Sequence, residues 1–132
     1  MARREMTARR LVVDGEIFLW SLRHRHHALG NGRYEGCCEA LVIRRFKSRG
    51  CLRIAFEEGR GRLVPGGYLT HSGAVGMAGG AFLNLHEPGT VRALIDEALA
   101  EGWSPGDPAT TAMDGWALFD TVARRRGALP PA

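Results

Sequence analysis

Pro88-Gly-Thr-Val-Arg-Ala-Leu-Ile-Asp-Glu-Ala-Leu-Ala-Glu-Gly-Trp-Ser-Pro105 is the stretch that decides the fold. Val91, Leu94, Ile95, Ala98 and Leu99 recur at helical spacing and make one apolar stripe. Arg92, Asp96, Glu97 and Glu101 fall off that stripe and are free to face water. Pro88 suits a first helical turn, Thr90 offers a second start, and Gly102 is a natural stop. The spacing therefore predicts a helix over 88–102. A helix with one apolar stripe needs a surface to lie on, and the residues before it read as β-strand.

Upstream, Leu11-Val-Val13 reads as a short strand and Asp14-Gly15 as a hairpin turn. Glu16 to about His27 follows as a long strand. Alternation puts Phe18, Trp20, Leu22, His24 and His26 on one face, and Ile17, Leu19, Ser21, Arg23 and Arg25 on the other. The first set begins strongly apolar, which makes it the core face. Ala28 to Gly36, with Gly30, Asn31 and Gly32, reads as a loop. Cys37 to Lys47 is a third strand, apolar on both faces at Ala40-Leu-Val-Ile43 and so central in its sheet. After a turn at Ser48-Arg-Gly50, Cys51 to Glu58 is a fourth strand with Leu52, Ile54 and Phe56 inward. These four make an antiparallel meander.

Residues 59–80 hold eight of the 18 glycines and no charged side chain after Arg62. They read as a loop region with one short strand near Tyr68 to Thr70, followed by a fifth strand at Ala81 to Leu85. Beyond the first helix, Ser104 to Thr111 reads as a connector. Asp114 is placed to cap a second helix, 114–126, whose Trp116, Phe119, Val122 and Ala123 share a face. Its closing Arg124-Arg-Arg126 suits the helix dipole. The expected fold is α+β: a four- to five-stranded, mainly antiparallel β-meander sheet with the 88–102 helix on one face and a C-terminal helix. Residues 11–126 form the single domain, with tails at 1–10 and 127–132.

With 132 residues, 45% hydrophobic and 24% charged, the chain suits one ordinary globular domain. No apolar run approaches the ~20 residues of a membrane span, and Leu11-Val-Val13 is too short for a signal-peptide core. Three cysteines, Cys37, Cys38 and Cys51, are a poor disulfide framework and fit reduced thiols in a cytoplasmic protein. The net charge of +4 is unevenly spread. Residues 1–62 carry 14 Arg/Lys against 7 Asp/Glu, and the remainder 4 against 7. Lys47 is the only lysine. Arginine binds phosphate and carboxylate bidentately; a GC-rich coding sequence, which also enriches Ala and Gly, gives the same bias without selection.

The order of these parts is itself informative. A Val-Val-Asp-Gly start, a strand with Trp20 and an Arg-His-Arg-His run, a central sheet and then Val91-Arg-Ala-Leu-Ile-Asp-Glu-Ala-Leu-Ala-Glu-Gly-Trp-Ser-Pro105 resemble a loose group of small, mostly actinobacterial proteins of uncharacterised function. That group shares a β-meander followed by a helix ending in Gly-Trp-x-Pro. The resemblance covers residues 11–105, and 110–132 departs from it. It implies the α+β architecture and assigns no functional residue.

Four features suggest chemistry. His24 and His26 point the same way on a strand, about 7 Å apart along the chain, and two imidazoles share a divalent metal if a third ligand joins them. His71, His86 or Cys38 is available for that role; the plainer reading is a strand that has run out of the core. No other cofactor is expected. Arg23, Arg25, Arg44, Arg45, Lys47 and Arg53 suggest a basic surface for nucleic acid, without a helix-turn-helix, zinc-finger or RNP pattern. Gly66, Gly67, Tyr68 and Met77 belong to a long apolar loop suited to covering a pocket or partner, unless it hides a further strand. His71-Ser72-Gly73 and the cysteines lack the matched parts of a catalytic site, so the balance leans away from an enzyme. The first expectation is a small binding or accessory protein acting through a protein partner or self-association. Nucleic-acid association is the second reading, and metal or small-molecule binding at His24/His26 the third.

Overall fold

The computed structural model describes residues 8–30, 33–65 and 72–130, with the backbone alone at 27, 28 and 33–35. The fold is α+β. Strands β1 (Arg9–Val13), β2 (Glu16–Gly30), β3 (Arg33–Arg45) and β4 (Cys51–Glu57) form the expected antiparallel meander. The chain turns between β1 and β2 on Asp14 and Gly15, both at positive φ (50° and 82°). This backbone twist matches that of the flanking strands, and Asp-Gly adopts it at little cost.

Three short strands follow: β5 (Arg62–Leu63), β6 (Ala74–Met77) and β7 (Phe82–Asn84). They form a separate antiparallel sheet. Then come helix α1 (Pro88–Ala100), strand β8 (Thr110–Asp114) and helix α2 (Gly115–Arg125). The large sheet has the order β1-β2-β3-β4-β8, and β8 joins β4 in parallel.

The fifth strand of the main sheet is β8, inside and just past the supposed connector, and its parallel pairing with β4 is the one exception in a mainly antiparallel sheet. Ala81 to Leu85 does hold a strand, but in the second sheet. The supposed loop at 59–80 contains β5 and β6, whereas the strand expected at Tyr68 to Thr70 lies outside the described residues. Strands β2 and β3 run on through much of the supposed loop at 28–36. Arg9 and Arg10, expected in a tail, pair with Trp20 and Leu19. Gly127 to Leu129, also expected in a tail, fold back on α2, and Leu129 packs against the core.

The core lies between the inward face of the large sheet and the two helices and small sheet. Phe18, Trp20, Leu41, Ile43, Leu52, Ile54 and Phe56 are all buried, as are Val75, Leu83 and Leu85 from the small-sheet side. From α1, Val91, Leu94, Ile95 and Ala98 are buried. Each fully buried side chain of this size contributes about 1.5–3 kcal/mol of transfer free energy. Leu99 departs from expectation: it is 38% exposed, and Thr90 and Ala93 complete the buried face instead. The stripe is thus rotated toward the Thr90 side.

Both helices end on Schellman motifs. In α1, Trp103 N–H donates to Ala98 C=O and Gly102 N–H to Leu99 C=O, with Gly102 at φ 107°. That turn drops Trp103 into the core, 6.0 Å from Phe18. In α2, the Asp114 carboxylate accepts from Trp116 N–H at 3.0 Å, as the sequence suggests. Trp116 meets Phe56 edge-on at 5.3 Å and donates its indole N–H to Glu57 C=O at 2.8 Å. Among the described residues no helix is long and apolar enough to cross a membrane.

Candidate functional site

Both helices and the small sheet lie on one side of the large sheet, so that no helix or strand among the described residues covers its other face. Pairing register reads that open face row by row. Arg10, Leu19 and Arg44 make one row, and Ser21, Val42, Arg53 and Ala112 the next. Arg23, Ala40, Ala55 and Asp114 follow, and Arg25, Cys38 and Glu57 make the last. The floor is therefore small or apolar, and arginines rise around it. Ala40 and Cys38 are buried although they belong to this face, and the Arg53 side chain hydrogen-bonds Cys38.

Among the described residues, Arg10, Arg23, Arg25, Arg44, Arg49 and Arg53 make no ion pair. The helical arginines behave differently. Arg92 pairs with Asp14 and Asp96, Arg125 with Asp96 and Glu97, and Arg126 with Glu87. Helical arginines thus meet nearby acids, while the arginines of the large sheet's open face carry no such partners among the described residues.

Beside a depression of about 320 Å³ toward the β4–β8 edge, lined by Arg53, Ala55, Glu57, Ala112 and Asp114 among others, two smaller ones mark this face. One, of about 230 Å³, is lined by Leu19, Ser21, Arg23, Val42, Arg44 and Arg49, among others. The other, of about 110 Å³, is formed by Arg10, Ile17, Leu19 and Phe46. Phe46 is 49% exposed and Val12 56%. Sequence reading misses Phe46 as an exposed aromatic; the available signal is its parity with Arg44.

Two members of the expected basic surface lie elsewhere. Arg45 has the opposite parity to Arg44, donates to Ser48 Oγ at 3.0 Å and pairs with Glu16 at 3.4 Å. Lys47 occupies a turn at φ 65°, with its ammonium 5.6 Å from the Phe46 ring. Of the residues expected to cover a pocket, Gly66, Gly67 and Tyr68 lie outside the described residues. Met77 is the exposed end of β6.

A second polar cluster sits at the far end of β2, on the inward face. Glu39 is paired across the sheet with His24 and is 1% exposed. Its Oε1 meets His24 Nδ1 at 2.5 Å, and its Oε2 accepts from Gly73 N–H at 3.2 Å. A buried carboxylate needs such partners to offset its lost hydration. Glu39 thereby ties the large sheet to the segment entering β6. His26 leans on His24 with ring centroids 4.9 Å apart.

Ser72 Oγ lies 3.1 Å from His86 Nε2, and a Cβ at Gly73 would stand 2.5 Å from the His86 ring. His86 is therefore occupied with Ser72 rather than with His24. Cys38 faces the open side of the sheet, so it is not a third ligand for the histidines. His71 lies outside the described residues, and among those described no three His, Cys, Asp or Glu side chains are grouped to hold a metal.

The thiols of Cys37 and Cys38 are held above the ordinary range. Burial is the main cause for both; Glu58 and Glu39 add to it at Cys37, while Arg53 partly opposes it at Cys38. Because the folded state favours the neutral thiols, their contribution is full below the ordinary thiol range and is lost as pH rises past it. Iodoacetamide at mildly alkaline pH is expected to modify half-buried Cys51 first, with Cys37 and Cys38 reacting only after denaturant is added, as read by peptide mass spectrometry.

No family model matches this chain, and no curated protein or solved structure matches it significantly.

Proposed function

We propose that this protein binds single-stranded nucleic acid across the open face of its large sheet. The observation that supports it is the set of arginines on β1 to β4 with no ion pair among the described residues: Arg10, Arg23, Arg25, Arg44 and Arg53, with Arg49 beside them. A guanidinium without an internal carboxylate partner is available for bidentate contact with phosphate. The apolar patch of Ile17, Leu19 and exposed Phe46 gives an unstacked base a place to rest. Five strands span about 19 Å between outer axes, wider than the ~12 Å major groove of duplex DNA. A flat sheet face suits a splayed single strand better than a groove. The chain's three free thiols fit a reducing, cytoplasmic setting.

Contact with a protein is the second reading, and exposed Val12 and Phe46 favour it. Self-association through this face is disfavoured by its own charge. A two-fold interface presents the same patch from both subunits, which sets arginine against arginine with only Glu57 and Asp114 to relieve it.

The test is a fluorescence titration with an unstructured RNA oligonucleotide, with the same DNA sequence single- and double-stranded, and with polyglutamate. Four phosphate contacts give a log–log salt slope of roughly −2.8, or about fiftyfold weaker binding on going from about 50 to 200 mM salt. Single strands binding ahead of duplex with that slope support the proposal. Equal or tighter binding of polyglutamate moves the assignment to an acidic protein partner. No binding to any of them removes it.

A further inference from the structure

We infer that His24 and His26 form a binding site for a divalent late transition-metal ion, oriented by the buried carboxylate of Glu39. The site is on the inward side of β2, distinct from the open face. Histidines that ligate metals characteristically donate their other ring N–H to a carboxylate, which fixes the tautomer and strengthens the ligand. Glu39 stands in that position. Its Oε1 holds His24 Nδ1 at 2.5 Å, and its Oε2 is fixed by Gly73 N–H at 3.2 Å. A carboxylate 1% exposed and anchored at both oxygens has little freedom to reorient. His24 Nε2 is thereby the coordinating atom, on a side chain 30% exposed and so open to an ion from solvent.

The second ligand is already beside it. The His24 and His26 ring centroids are 4.9 Å apart, with their planes 53° from one another. A metal about 2.0–2.1 Å from each ligating nitrogen lies about 3.2 Å from each ring centre, so two rings meeting at between a right angle and a tetrahedral angle stand roughly 4.5–5.2 Å apart. The observed separation falls inside that range. It also falls below the ~7 Å expected of alternate residues on a regular strand. His26 lies where the β2–β3 register shifts, as one β2 residue opposite Gly36 and Cys37 of β3, so the regular strand spacing does not hold at this point.

Imidazole donors suit zinc, copper and nickel rather than magnesium or calcium. With two protein ligands, the remaining positions are left to water or to donor atoms of a bound molecule.

The experiment is calorimetric titration of the full, untagged chain with zinc chloride, alongside copper(II) electron paramagnetic resonance. One zinc per chain is expected, and a copper spectrum with two imidazole nitrogens. His26→Ala leaves the His24–Glu39 contact in place. It should weaken zinc at least tenfold and reduce the copper spectrum to one nitrogen. Glu39→Gln, in a sample with unchanged circular dichroism, should weaken zinc by about 10–100-fold while both nitrogens persist. Wild-type-like zinc binding by the His24→Ala/His26→Ala double variant, or no binding by the wild type at millimolar zinc, overturns the site. Full affinity in folded Glu39→Gln overturns the positioning role of Glu39.

Discussion

Leu94→Asp is expected to leave the chain unfolded at room temperature. Leu94 is completely buried, one of five apolar side chains that α1 lays against the core together with Val91, Ala93, Ile95 and Ala98. The substitution removes about 2–3 kcal/mol of apolar transfer free energy. It also places a carboxylate inside the hydrophobic cluster, which costs several kcal/mol more whether the group stays charged or takes up a proton. A domain of ordinary stability holds only 5–15 kcal/mol in total. Leu99→Asp is the matched control: on the same helix, but at a position 38% exposed, it should change stability by less than about 1 kcal/mol. Circular dichroism with urea denaturation distinguishes the two. Similar destabilisation by both variants would contradict the face assigned to α1.

That contrast also shows where sequence reading works and where it stops. The 88–102 region is legible because apolar spacing, Pro88 and Gly102 agree, yet the stripe alone cannot tell that Thr90 and Ala93 are buried and Leu99 is not. Tertiary packing sets that rotation. The β1–β4 meander is legible because Asp14-Gly15 fixes a hairpin and alternation from Phe18 to Leu22 and from Leu52 to Phe56 fixes the faces. Strand β8 is illegible: five residues with a weak burial pattern, shortly after Pro105 and Pro108, take strand form because β4 offers them a parallel edge. The small sheet is illegible for a related reason, since strands of two to four residues among glycines carry no period.

At the candidate sites, the arginines are visible in sequence as a count but not as a face. Arg44 and Arg45 are neighbours in sequence and opposites in space. Glu39 escapes sequence reading because a single acidic residue in an apolar run looks like the polar edge of a strand. Its parity with Leu41 and Ile43 is the available signal that it points into the core, opposite His24.

The second large effect concerns the open face. The triple variant Arg23→Glu/Arg25→Glu/Arg44→Glu should bind single-stranded RNA at least 100-fold more weakly at moderate salt while remaining folded. All three side chains are exposed and none is ion-paired among the described residues, so the substitutions strand no internal partner. A hydrogen bond to a charged group contributes about 1.5–3 kcal/mol. Removing three such bonds to phosphate and adding repulsion exceeds the ~2.7 kcal/mol that a 100-fold change requires. The salt slope should fall in magnitude by about 0.7 for each phosphate no longer neutralised. Arg124→Glu, exposed at the end of α2, reduces net charge without touching the sheet and should bind as the wild type does. Equal weakening by both variants would mean that overall charge, rather than this face, governs the interaction.

On the proposed reading, one side of the large sheet is sealed by helices and the other is a cationic platform for a single strand. The most direct test is an NMR titration of the isotopically labelled chain with an unstructured RNA oligonucleotide. The expected result is a set of amide shifts concentrated on Arg10, Leu19, Ser21, Arg23, Val42, Arg44 and Arg53, with α1 and α2 silent. Shifts confined to the helices, or a spectrum unchanged at saturating RNA, would contradict it.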